Sequence, residues 1–166
     1  MTSQAQQSQN HFRNHSRNNA GDHLFLVILF SISVVCSTTS WAGALHDAAE
    51  TGNLSQIQQL VAAGADVSEV DSRGIWPLLA AVTEGNAATV ALLLKLNANP
   101  NQVDQYQYSA LHEAASLGYH NVVELLIDAK ANINARDING ITPLGYAMRS
   151  SNPETITLLQ DIGGIQ

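Results

Sequence analysis

Apolar positions along residues 43–166 recur with a period that belongs to no single helix or strand. Leu45, Leu78, Leu111 and Leu144 stand 33 residues apart, as do Ala48, Ala81, Ala114 and Ala147. The same spacing relates Ile57, Val90, Val123 and Ile156, and then Leu60, Leu93, Leu126 and Leu159. Within one period, apolar residues three and four apart, as in Val122, Val123, Leu126 and Ile127, predict an amphipathic helix. The Ala-rich stretch before it predicts a shorter helix whose small side chains admit a close neighbour. Each period therefore reads as two helices.

The punctuation agrees with this reading. Ser109 and Thr142 stand where a side-chain oxygen caps a helix start, and Pro143 at a first helical position has no amide to leave unpaired. Gly52, Gly85 and Gly118 predict a tight turn between the helices, and Gly64 and Asn97 suit a left-handed cap after the second. Lys130, at the same place, does not suit it and predicts a small cost. Polar stretches such as NANPNQVD and KANINARDING lead back to Asp71, Asp104 and Asp137, which mark the starts of three periods. One helix pair cannot cover its own apolar face, so neighbours must stack and the ends must differ from the middle. Gln160, in the register of Val61, Leu94 and Ile127, fits a terminal unit.

The segments GALHDAAETGN (43–53), WPLLAAVTEGN (76–86), SALHEAASLGY (109–119) and TPLGYAMRSSN (142–152) carry the most specific signal. With a period of 33, a T-P-L-H-x-A opening and a mid-repeat glycine, the chain resembles the ankyrin repeat family over residues 43–166. The resemblance implies an all-α solenoid of stacked helix-turn-helix units with hairpin fingers, in repeats 43–70, 71–103, 104–136 and 137–166. It also implies that His46 and His112 are structural struts bonded to nearby backbone and the capping hydroxyl.

His112-Glu113 opens an H-E-x-x-H pattern, in which two histidines one helical turn apart hold zinc. Position 116, where the second would stand, is Ser116, and His120 lies beyond the Leu117-Gly118 break. Residues 43–166 contain no phosphate-binding glycine loop, nucleophile elbow or CxxC. The expectation is a non-catalytic protein with no metal and no cofactor.

A solenoid leaves one concave side free of stacking duties, and the resemblance implies that finger tips and short-helix faces there bind a protein partner. By register the finger positions are Ser72, Arg73 and Ile75; Gln105, Tyr106 and Tyr108; Ile138, Asn139 and Ile141. The helix-face positions are Asp47, Glu50, Thr83, Glu84, Glu113, Ser116, Leu117, Tyr146 and Arg149. Large side chains at Ile75, Tyr106, Tyr108, Ile138 and Ile141 are either contact hot spots or fold down over the neighbouring finger. Two departures from the family pattern lie beside them: Trp76 replaces the capping Thr, and Gln107 replaces the finger glycine found as Gly74 and Gly140. The expected contact set is Arg73, Ile75, Trp76, Tyr106, Tyr108, Glu113, Leu117, Ile138, Ile141 and Tyr146, centred on the fingers of repeats two and three, which carry Arg73 to Trp76 and Tyr106 to Tyr108. Alanine at Trp76, Tyr106 and Tyr108 is expected to weaken partner capture without unfolding the array.

The first 42 residues follow different rules. Residues 1–23 are rich in Gln, Asn and Ser without an apolar period, and do not predict a packed structure. Leu24 to Cys36 (LFLVILFSISVVC) has the length of a signal-peptide core, and Ser40-Trp41-Ala42 offers small residues for cleavage after Ala42. Cleavage after Ala44, retention of 24–45 as a membrane anchor, and a lipid-modified Cys36 are alternatives. With the leader removed, five basic and thirteen acidic residues remain and Cys36, the one cysteine, is lost. The acidic balance argues against nucleic acid. The expectation is a monomeric periplasmic or secreted protein-binding module. The runner-up is an exported inhibitor, immunity or effector protein whose acidic face, with Asp47, Glu50, Glu84 and Glu113, meets a basic enzyme or toxin.

Overall fold

The computed structural model describes residues 41–165, so the polar leader and the apolar segment 24–36 lie outside the described residues. Eight helices follow one another: α1 (Trp41–Glu50), α2 (Leu54–Ala62), α3 (Pro77–Thr83), α4 (Ala87–Lys95), α5 (Ala110–Leu117), α6 (His120–Asp128), α7 (Pro143–Arg149) and α8 (Pro153–Asp161). None of the described helices is long and apolar enough to cross a membrane. The fold is all-α, apart from a single Val103–Ser109 bridge among the described residues.

Helix starts follow the capping residues. Asn53 and Asn86 accept the amides of Gln56 and Thr89, each at 3.1 Å. Thr142 accepts the amide of Gly145 at 3.2 Å, with Pro143 at the first helical position. Trp76 opens α3 with no side-chain cap, so Pro77 alone eases that start.

The first helices stack in the order α1, α3, α5, α7 and the second helices in the order α2, α4, α6, α8, while each pair packs internally. The periodic residues supply the core: Leu45, Leu78 and Leu111 are fully buried, as are Ile57, Val90, Val123 and Leu126. Each such side chain contributes roughly 1.5–3 kcal/mol. Gln160 is exposed, in keeping with a terminal position.

Gly118 shows why the turn between helices takes glycine. Its φ is 73°, and a Cβ there would stand 2.5 Å from Asn152 of the next unit. Asn152 uses that closeness to donate to the Ser116 carbonyl at 3.3 Å, capping the end of α5. Lys130 adopts the left-handed conformation that the register demands, at φ 69°. The polar loops are tied across units: Asn101 donates to the Lys130 carbonyl at 3.0 Å and accepts the Asn132 amide at 2.7 Å. Asn134 accepts the Ile165 amide at 2.8 Å in the same register.

α1 begins at Trp41, inside the segment read as a signal. Trp41 is partly buried against the core, so the first helix reaches slightly further back than residue 43.

Candidate functional site

Each finger is built on an aspartate. Asp71 accepts the amides of Arg73 and Ile75 at 2.8 and 3.0 Å, Asp104 those of Tyr106 and Tyr108 at 2.8 and 2.9 Å, and Asp137 those of Asn139 and Ile141 at 2.9 and 2.7 Å. Burial alone would push the Asp137 carboxyl up, but the Ile141 amide, the Tyr146 hydroxyl and Asn139 together hold it below the ordinary carboxylate value. The turn closes through positive φ at Gly74 and Gly140. Gln107 keeps the same conformation at φ 58°, so the finger is not rebuilt and a side chain bears the strain instead.

His112 is fully buried and both its nitrogens are occupied. Nε2 lies 3.2 Å from the carbonyls of Ala135 and Ile141, which only accept, so Nε2 carries the proton. Nδ1 accepts the Ser109 amide at 3.1 Å. Burial lowers the imidazole's pKa even though the two carbonyls favour the cation. A neutral ring spent on backbone in this way is a strut between successive units. His46 makes the equivalent bond to the Ile75 carbonyl at 2.5 Å.

Of the expected contact residues, Tyr106, Ile138 and Leu117 are open to solvent, at 55%, 65% and 42% exposure. The Ile138 amide donates to the Tyr106 carbonyl at 2.8 Å, so the joined finger tips are those at 105–108 and 138–141, one unit beyond the expected centre at the 72–76 and 105–108 fingers. Tyr108 is half-buried: its ring stacks on His112 at 5.3 Å and its hydroxyl donates to Glu113 at 2.8 Å. Burial, then Glu113, pushes the Tyr108 phenol well above its ordinary pKa. Tyr146 meets Tyr108 edge-on at 5.3 Å and donates to Asp137 at 2.8 Å, with burial and that carboxylate raising its pKa too. These two tyrosines and Glu113 form the floor behind the finger tips. Arg73 is exposed, held by Glu50 at 2.5 Å and Asp71 at 2.7 Å, and both carboxylates stabilise its cation.

Trp76 departs from expectation. It is 1% exposed and belongs to the core, so it is removed from the contact set. The position faces inward in other units too, since Ser109 and Thr142 are 4% and 0% exposed, and in this one it carries an indole in place of the capping hydroxyl. Ile75 and Ile141 are only partly exposed, and Ile75 packs against the core. The exposed apolar side chains Val70 and Val103, at 50% and 38%, were absent from the expected set. Their signal was the shared register just before the finger aspartates.

A family model for ankyrin repeats, three copies, matches residues 45–137. The chain belongs to the ankyrin-repeat family. Ankyrin repeats generally mediate protein–protein interaction and are typically non-catalytic, which suits a surface built from finger tips. No curated protein sequence matches the chain. The ankyrin histidine position is filled by His46 and His112, and the H-E pair at His112-Glu113 is divided between a strut and a tyrosine's hydrogen-bond acceptor.

Proposed function

We propose that this protein is a non-catalytic, exported binding module that grips a protein partner through the fingers that carry Tyr106 and Ile138 and the adjoining helix faces. One observation carries the reading: Tyr106 and Ile138, at 55% and 65% exposure, sit on finger tips joined backbone to backbone. Large apolar groups held rigidly in water make contact hot spots at low ordering cost. Leu117, 42% exposed at the end of α5, is the apolar candidate on the helix face, and Tyr108 is bonded to Glu113 beside Tyr146.

The repeat domain in this reading runs over 43–166, with 137–166 as a fourth ankyrin repeat. The α7–α8 pair supports that extension, because it continues the 33-residue register and packs on α5 and α6 as the earlier pairs do. Cleavage after Ala42, in this reading, falls within the first turn of α1, which begins at Trp41. Export rests on the sequence of residues 24–42, with a periplasmic or secreted monomer as the product and a 24–45 membrane anchor as the alternative. The mass of the mature chain decides between them.

A second reading, an inhibitor, immunity or effector protein acting on a basic enzyme or toxin, is favoured by the exposed Asp47 and Glu84, which have no cationic partner among the described residues.

The test is affinity capture with full-length protein and a Tyr106→Ala/Ile138→Ala variant. Loss of the same captured protein from the folded variant is expected; undiminished capture contradicts the reading.

A further inference from the structure

The charges of the described region are unevenly placed. Arg73 is neutralised by Glu50 and Asp71. Arg136 and Arg149 have no carboxylate partner among the described residues, although the chain carries a net charge of −7. Both line one open pocket at the C-terminal end, with Ile141, Thr142, Gly145 and Met148, and no acidic residue lines it.

The pocket lies where one register position is occupied differently. Gly145 stands where His46 and His112 stand in other repeats, so no imidazole strut projects from α7. The Thr142 hydroxyl donates to the Ile165 carbonyl and accepts the Gly145 amide, so it is already spent. What remains for a visitor is apolar wall and cation. Met148 is 39% exposed and adapts readily to an apolar partner. Arg136 donates one N–H to the Gly140 carbonyl at 2.7 Å, which fixes the guanidinium and leaves further donors in a planar fork. Arg149, in the last turn of α7, also suits that helix end, but a helix end asks for one cation and no pocket.

We propose that this corner binds a partner segment bearing a carboxylate beside an apolar side chain, the carboxylate held between Arg136 and Arg149 and the apolar group against Ile141 and Met148. A cationic patch on an anionic protein selects against basic partners as firmly as it attracts acidic ones. The site shares Ile141 and Gly140 with the base of the last finger but uses neither Tyr106 nor Ile138, so it does not depend on the reading given to those two tips.

The test uses full-length protein and three amidated hexapeptides in which leucine alternates with glutamate, glutamine or lysine. The glutamate peptide is expected to bind, shifting the backbone amide resonances of Gly140, Gly145 and Met148. The glutamine peptide, and the glutamate peptide against an Arg136→Gln/Arg149→Gln variant, are each expected to bind about ten-fold more weakly. Should that variant fold poorly, Met148→Glu, which places an acid in the pocket, is expected to show the same loss. Binding that ignores the peptide's charge, survives these substitutions, moves resonances only around Tyr106, or is absent for the glutamate peptide overturns the proposal.

Discussion

The amide of Ile138 donates to the carbonyl of Tyr106 across 2.8 Å, which makes two neighbouring finger tips one rigid piece. Their side chains are the most exposed of the large apolar residues on the fingers, so they are ordered without being covered. Because neither is buried, alanine at both positions is expected to change stability by no more than about 0.5 kcal/mol. Urea denaturation of the double variant checks this.

Trp76 behaves in the opposite way. It is buried, and its indole N–H finds no acceptor among the described residues. Trp76→Ala is expected to cost about 3–5 kcal/mol. Trp76→Phe removes a donor whose unpaired burial costs about 1–3 kcal/mol, offsetting much of the lost ring volume, so it is expected to fall far closer to the native protein. Chemical denaturation of the two variants separates these outcomes.

Of the four described non-glycine residues at positive φ, Gln107 at 58° and Lys130 at 69° have long side chains in a backbone conformation that glycine adopts more easily. Gln107→Gly and Lys130→Gly are each expected to stabilise the fold by about 1 kcal/mol, with glycine's larger unfolded-state entropy reducing the gain. Thermal melts of the single variants measure it. Destabilisation at either site would remove the strain argument there.

The strut makes a prediction about pH. His112 has a folded pKa below its ordinary value of 6.5, so the unfolded chain binds the proton first. Its contribution is complete above about pH 6.5 and is lost as pH falls toward the folded pKa. Asp71 and Asp137, also lowered, hold their contribution above 3.8 and lose it at more acid pH. Stability measured against pH is therefore expected to fall in two stages, and His112→Asn is expected to flatten the upper one. An upper stage unchanged in the variant would assign it to another group.

Much of this was legible because a 33-residue register repeats every structural decision. The stacked leucines, the turn glycines, the finger aspartates and the histidine struts each appear at least twice, so one copy explains another. Departures from the register were visible as departures, but not their direction. Trp76 could be seen to lack a capping hydroxyl, whereas the choice of core over surface depends on the space between repeats. By register Tyr146 falls on a helix face and Tyr108 on a finger, but their bonds to Glu113 and Asp137 depend on side-chain torsions that spacing does not encode. Gln107 was readable only as a conditional, since positive φ had to be either kept under strain or avoided by rebuilding the turn.

The central claim is that the finger-tip side, rather than the outer helices, meets the partner. A photo-reactive phenylalanine analogue placed at Tyr106, at Ile138 or, on the outer α6 helix, at exposed Glu124, reads this by cross-linking in the native compartment. The account predicts one protein adduct shared by positions 106 and 138 and absent from 124. The same adduct from position 124 alone would contradict it.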